Sequence, residues 1–200
     1  MWLTNRILKL QRLLAILILI FTLQTPSQAD DIRDFQIEGM SLGDSLLDYF
    51  SEEEIQKNTD NFKYSNNDFV PVTIKGGWKV YDHVQFYYKN YDEKKPIHMV
   101  SGSIIYKDNI KECYSKEKEI IKELQNIFPN TKQVNLGKIK QPYDKSGKST
   151  KTNYRFVFND ENYAFVACYD WSKKMKYNDH LRVGVVAKDF DYWIYNVASK

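Results

Sequence analysis

Residues 30–200 predict one α+β domain, in which short N-terminal helices, one long central helix and a short C-terminal helix pack against an antiparallel sheet. Three observations carry this expectation. The chain holds 15 Tyr, 11 Phe and 4 Trp, and large rings with polar edges suit half-buried sheet surfaces. Its β-rich runs fall into two groups, each broken by turn residues in the manner of hairpins. Between the groups the apolar spacing changes from alternation to that of a helix. No Pro/Gly/Ser-rich linker divides the chain, and a domain of this size buries roughly 70% of the surface its unfolded form exposes.

The elements follow in order. After Gly39-Met40-Ser41-Leu42-Gly43-Asp44, either Asp44 or Ser45 is placed to cap a short helix through Phe50. Ser51-Glu52-Glu53-Glu54 then forms a capping box for a second. Leu46, Leu47, Phe50 and Ile55 supply the buried stripe. The polar run Asn58–Asp68 reads as a loop. Phe69–Ile74 is a strand whose Pro71 places it at a sheet edge, because proline cannot donate to a central ladder. Gly76-Gly77 separates it from a strand over Trp78–Lys89, and the charged turn Asn90–Pro96 leads to its hairpin partner Ile97–Tyr106.

Ile110, Cys113, Ile120, Ile121, Leu124, Ile127 and Phe128 then recur at helical spacing, with Lys and Glu between them as a solvated face, until Pro129-Asn130 ends the run. Lys138–Lys151 reads as a lysine-rich connection. Thr152–Phe158, Tyr163–Trp171 and Leu181–Ala187 are further strands, the first two joined by the turn Asn159-Asp160-Glu161-Asn162. Phe190, Trp193, Ile194 and Val197 mark the closing amphipathic helix.

Residues 1–29 have a different character. Arg6, Lys9 and Arg12 precede the apolar run Leu13–Leu23, and Ser27-Gln28-Ala29 offers small residues at a cleavage site. This predicts a secretory signal peptide cut after Ala29 and a periplasmic mature chain. The run falls short of the about 18 apolar residues a membrane span needs. A lipoprotein signal is excluded because no cysteine stands at the cut. The leader also accounts for the charge: the chain has 29 Lys+Arg and 26 Asp+Glu, and removing the leader's three basic residues leaves 26 against 26. A near-neutral mature protein gives no electrostatic reason to expect nucleic acid as a partner.

Cys113 and Cys168 are the 2 cysteines, and in an oxidising compartment a disulfide is their ordinary state. Buried free thiols, a reactive thiol and metal ligation are the alternatives, although neither cysteine sits in a C-x-x-C pair or beside a histidine. Ser146-Gly147-Lys148-Ser149-Thr150 imitates the end of a phosphate-binding loop. Pro142 stands where the leading glycine belongs and a strand follows instead of a helix, so a flexible turn is the better account. His83 and His98 are placed to face each other across a hairpin, but no metal-ligand spacing supports them. Ser101-Gly102-Ser103 lies within a strand, where close helix packing explains the small residues better than catalysis. Asp82, Asp170 and Asp179 are the carboxylates available for acid/base work, with nothing to single them out.

Tyr87, Tyr88, Tyr91, Tyr169 and Trp171 form the one candidate binding surface. Exposed rings beside amides and lysines stack on sugars or grip an extended peptide, whereas buried ones simply fill a core. Two resemblances bear on the choice. Ile37–Leu47, Asp144–Thr150, Cys168–Ser172 and Asp179–Val183 resemble a group of uncharacterised exported proteins from marine alphaproteobacteria, over nearly the whole mature chain, and this implies export without implying an activity. The helical opening before a hairpin is similar in element order to envelope-assembly and β-lactamase-inhibitor-like helix-plus-sheet modules, which bind proteins. The resulting expectation is a non-enzymatic periplasmic protein without a cofactor, which binds another envelope protein or a peptide. A small enzyme or small-molecule binder is the alternative.

Overall fold

A computed structural model of the protein describes residues 31–198 apart from Lys63 and Asp108. The leader and its cleavage site lie outside the described residues. The described chain is α+β, built on a seven-stranded sheet in the order β1-β2-β3-β7-β6-β5-β4, with every neighbouring pair antiparallel. The strands are β1 Phe69–Lys75, β2 His83–Lys89, β3 Met99–Lys107, β4 Lys132–Lys140, β5 Thr150–Val157, β6 Tyr163–Asp170 and β7 Asp179–Val186. The helices are α1 Glu52–Lys57, α2 Ile110–Ile127 and α3 Lys188–Asn196. β7 joins the two strand groups by entering between β3 and β6.

Period-two alternation sends successive side chains to opposite faces. One face carries Val72, Val84, Phe86, Val100, Phe156, Val166 and Leu181, all buried in a single core cluster. That core is closed by the N-terminal segment, including Ile37, Met40, Leu46 and Ile55, and by Cys113, Leu124 and Phe128 at and beyond the inner side of α2. A disulfide between Cys113 and Cys168, with Cα atoms 6.0 Å apart, ties α2 to β6. Ser45 caps a 3₁₀ turn over Leu46–Asp48, and Ser51 with Glu54 completes the capping box of α1. The other face holds Phe69, Tyr87, Met99, Tyr163, Phe165 and Val186 beneath Phe190 and Trp193 of α3.

Several expectations need correction. Residues 138–140, expected to open the connection, instead close an edge strand over Lys132–Lys140, and residues 150–151 at the connection's far end begin β5; nearly all of the edge strand is exposed, so it lacks the alternation that burial imposes. The strand expected from Trp78 starts at His83, and Trp78 and Tyr81 are partly buried against the first core. Tyr81 also explains Gly102: a Cβ there meets the tyrosine ring 2.3 Å away. A tyrosine, not a helix, takes that space. Glu117 was expected on the solvated side of α2 but is only 7% exposed. Its Oε1 accepts a 2.5 Å hydrogen bond from the Thr152 hydroxyl, whose oxygen in turn accepts from the Cys168 backbone N–H.

The Gly-Lys-Ser-Thr segment is anchored, not free. Asp144, itself buried, accepts from the backbone N–H groups of Ser146 and Ser149 and from the hydroxyls of Ser146, Ser149 and Ser172. Those bonds hold its carboxyl well below the ordinary range, with the Ser149 hydroxyl contributing most. An arrangement in which the donors already surround a carboxylate leaves no cradle for phosphate.

Candidate functional site

Two places on the described surface bring chemically active side chains together. One is a cleft of about 590 Å³ between the N-terminal segment, the β2–β3 turn and the start of α3, lined in part by Arg33, Lys89, Tyr91, His98 and Asp189. His98 Nδ1 lies 3.0 Å from Asp189 Oδ1, and Lys89 Nζ lies 2.7 Å from Asp189 Oδ2. Burial pushes the Asp189 carboxyl up, but hydrogen bonds from His98 and Lys89 outweigh it and hold the group well below the usual carboxylate range. Asp189 also stands in the first turn of α3, where a negative charge suits the helix N-terminus. The triangle therefore pins α3 to β2 and β3. No serine, threonine or cysteine is among the described residues lining the cleft, so the histidine-carboxylate pair is not arranged as a hydroxyl- or thiol-activating triad.

The other place is the half of the second sheet face that α3 leaves open. The register lines up Thr73, Gln85 and Ser101 from β1, β2 and β3. One row further on, it lines up Lys75, His83, Ser103, Arg182 and Ala167, of which Ser103 and Ala167 are buried between their larger neighbours. A hydrogen-bonded chain runs across these strands. Thr73 and Gln85 both donate to Asp60 Oδ2, at 2.5 and 3.2 Å; Arg182 donates through Nη2 to Gln85 Oε1 and through Nε to Ser101 Oγ at 2.7 Å. None of the ion pairs among the described residues includes Arg182, Lys75 or Lys151.

Beyond this row the face is aromatic. The His180 and Tyr169 rings stack at 4.6 Å and 9°, Trp171 lies 6.1 Å from Tyr169, and Tyr177, 61% exposed, meets Trp171 edge-on at 5.0 Å. Lys151 Nζ sits 5.8 Å from the Tyr169 ring centre. Burial lowers the His180 pKa to about 4 despite its hydrogen bond to the Asn178 carbonyl, and burial likewise lowers His83. Both imidazoles are neutral at pH 7, which leaves Arg182 and the lysines as the positive charges of this face, with the Asp60 carboxylate among them.

The five aromatic residues expected to share one surface are divided. Tyr87 is buried beneath α3, 4.4 Å from Phe190, with burial pushing its hydroxyl up. Tyr88 faces the opposite way into the first core. Tyr91 is 73% exposed and lines the cleft. Only Tyr169 and Trp171 stand together on the open face. Alternation along β2 already separates Tyr87 from Tyr88, whereas Arg182 and His180 give no local signal: their significance comes from strands remote in sequence. His83 and His98 do not oppose each other, since His83 pairs with Ser103 and the His98 N–H bonds the Tyr87 carbonyl at the other end of the hairpin. Asp82, Asp170 and Asp179 are spent separately, on the Ile105 N–H, on Tyr114 and Lys138, and on the Trp171 N–H.

Among the described residues no group of His, Cys, Asp and Glu is arranged to hold a metal ion, and no helix is long and apolar enough to cross a membrane. Compared with protein-family models, curated proteins and solved structures, the chain finds no match.

Proposed function

We propose that this chain is an exported, periplasmic, non-enzymatic protein that binds another envelope protein or a peptide on the open half of its second sheet face. The observation that carries the proposal is the grouping of Tyr169, Trp171, Tyr177 and His180 beside an Arg182 that has no carboxylate partner. Aromatic and arginine side chains are the residues on which interfaces most often depend. The Cys113–Cys168 disulfide accords with an oxidising compartment, and the leader with export.

Affinity capture from an envelope extract tests this reading. The protein should recover a stoichiometric partner, and Trp171→Ala should abolish recovery while retaining a single cooperative urea transition. Capture indifferent to Trp171→Ala overturns the choice of face. Sequencing the purified protein from its N-terminus should give Asp30 as the first residue; an intact leader in exported material overturns the processing.

The cleft supports a second reading, as a small-molecule site, because His98, Asp189 and Lys89 converge there. A metabolite that copurifies with the protein and is lost from His98→Ala would favour it.

A further inference from the structure

The open face has cations in excess. Arg182, Lys75 and Lys151 lack ion-pair partners among the described residues. Asp60, which accepts from Thr73 and Gln85 on this face, offsets one of the three charges. A partner that complements this surface brings negative charge.

We infer that the face binds an extended, acidic segment of a partner protein, with carboxylates spaced four residues apart. The inference rests on the reading of this face as the binding surface and names what occupies it. Lys75 and Arg182 share a row on β1 and β7 with β2 and β3 between them, so their Cα atoms are about 14 Å apart at ~4.8 Å per strand. Lys151 lies two strands beyond Arg182 and two residues along, about 12 Å away diagonally. In an extended peptide, side chains at i and i+4 point the same way and stand about 13 Å apart. Acids at i, i+4 and i+8 therefore reach all three cations.

A peptide also suits the rings. Tyr169 and His180 stack on each other at 4.6 Å, and their edges, which are electropositive, attract carboxylate and carbonyl oxygens. Pairing along the β4 edge is disfavoured too, since β4 carries Lys132, Lys138 and Lys140 and is interrupted between Asn135 and Lys138, both devices that deter added strands.

The test is fluorescence anisotropy with the purified protein and labelled nine-residue Ser/Thr/Val peptides. A peptide with Glu at positions 1, 5 and 9 should bind at least tenfold more tightly than its Gln counterpart and than one with Glu at 1, 3 and 5. Arg182→Gln should weaken it at least tenfold. Because Arg182 touches Gln85 and Ser101, the double variant Lys75→Gln with Lys151→Gln, which leaves the Arg182 hydrogen bonds in place, provides an independent reading and should also weaken binding several-fold. Equal affinity for both Glu spacings, or tighter binding of polygalacturonate or phosphatidylglycerol vesicles than of the peptide, overturns the inference. Partner capture that is lost in Trp171→Ala but unchanged in the charge variants overturns the acidic segment and leaves the face standing; capture unchanged in all of them removes the face as well.

Discussion

The two faces of the sheet are made by the same strands and have opposite contents. Along β2, Val84, Phe86 and Tyr88 enter the first core, while His83 and Gln85 lie on the open half of the other face. Along β7, Leu181, Val183 and Val185 are in that core, while His180 and Arg182 are partly exposed. The first face is covered by α2 and the N-terminal segment and fastened by a disulfide. The second is covered by Phe190 and Trp193 of α3 with Tyr64 of the loop before β1, and Asp60 of the same loop bonds to Thr73 and Gln85 beyond them. One face can therefore specify the fold while alternate residues of the same strands remain free to meet a partner. Stability and binding should respond to different substitutions.

The largest break in that comparison comes from the closed face. Replacing Cys113 and Cys168 by serine removes a cross-link across 55 residues, which the chain-entropy account values at about 4 kcal/mol, read from urea unfolding of the oxidised parent and the variant. On the covered half of the second face, Trp193→Ala should cost about 3 kcal/mol; a loss as small as that at an exposed site would show that α3 is not part of the stable fold.

Titration then separates the faces by sign. His180 has a folded pKa of about 4 against 6.5 for the free side chain, so the unfolded state binds more protons between those values. Its contribution to stability is present above pH 6.5 and is lost as pH falls towards 4. Glu117 behaves oppositely: burial raises its pKa, the folded state holds the proton longer, and stability falls as pH rises above about 4.5. His180→Phe should flatten the acidic slope, and Glu117→Gln should raise stability at pH 7 by about 1 kcal/mol, both checked by urea midpoints across the pH range. The smallest effect belongs to the open face. Lys75→Gln with Lys151→Gln should leave stability within about 0.5 kcal/mol, although the acidic peptide binds more weakly.

Legibility followed burial. β1 announced its edge position through Pro71, which indeed occupies an edge strand, and the apolar spacing of α2 was visible because one side meets the sheet. β4 was hidden because neither of its faces is covered, and an exposed strand has no reason to alternate. Glu117 looked like its solvated neighbours because buried and exposed carboxylates have the same spelling; Thr152, far along the chain, provides the difference. The candidate site was half legible. Tyr169 and Trp171 were visible as aromatic residues, while Arg182, Gln85 and His180 acquire meaning only from strand order.

By itself the sequence determined which residues favour helix or strand, which side of each strand is apolar, and which two cysteines were available to pair. Those are properties of neighbours along the chain, fixed by backbone period and side-chain chemistry. Tertiary structure alone decided that β7 enters between β3 and β6, that Arg182 lies against Ser101 and Gln85, and that one face closes while half of the other stays open. These depend on pairings between remote segments, and hydrogen-bonded strand partners carry no mark in the local sequence of the partner they will find.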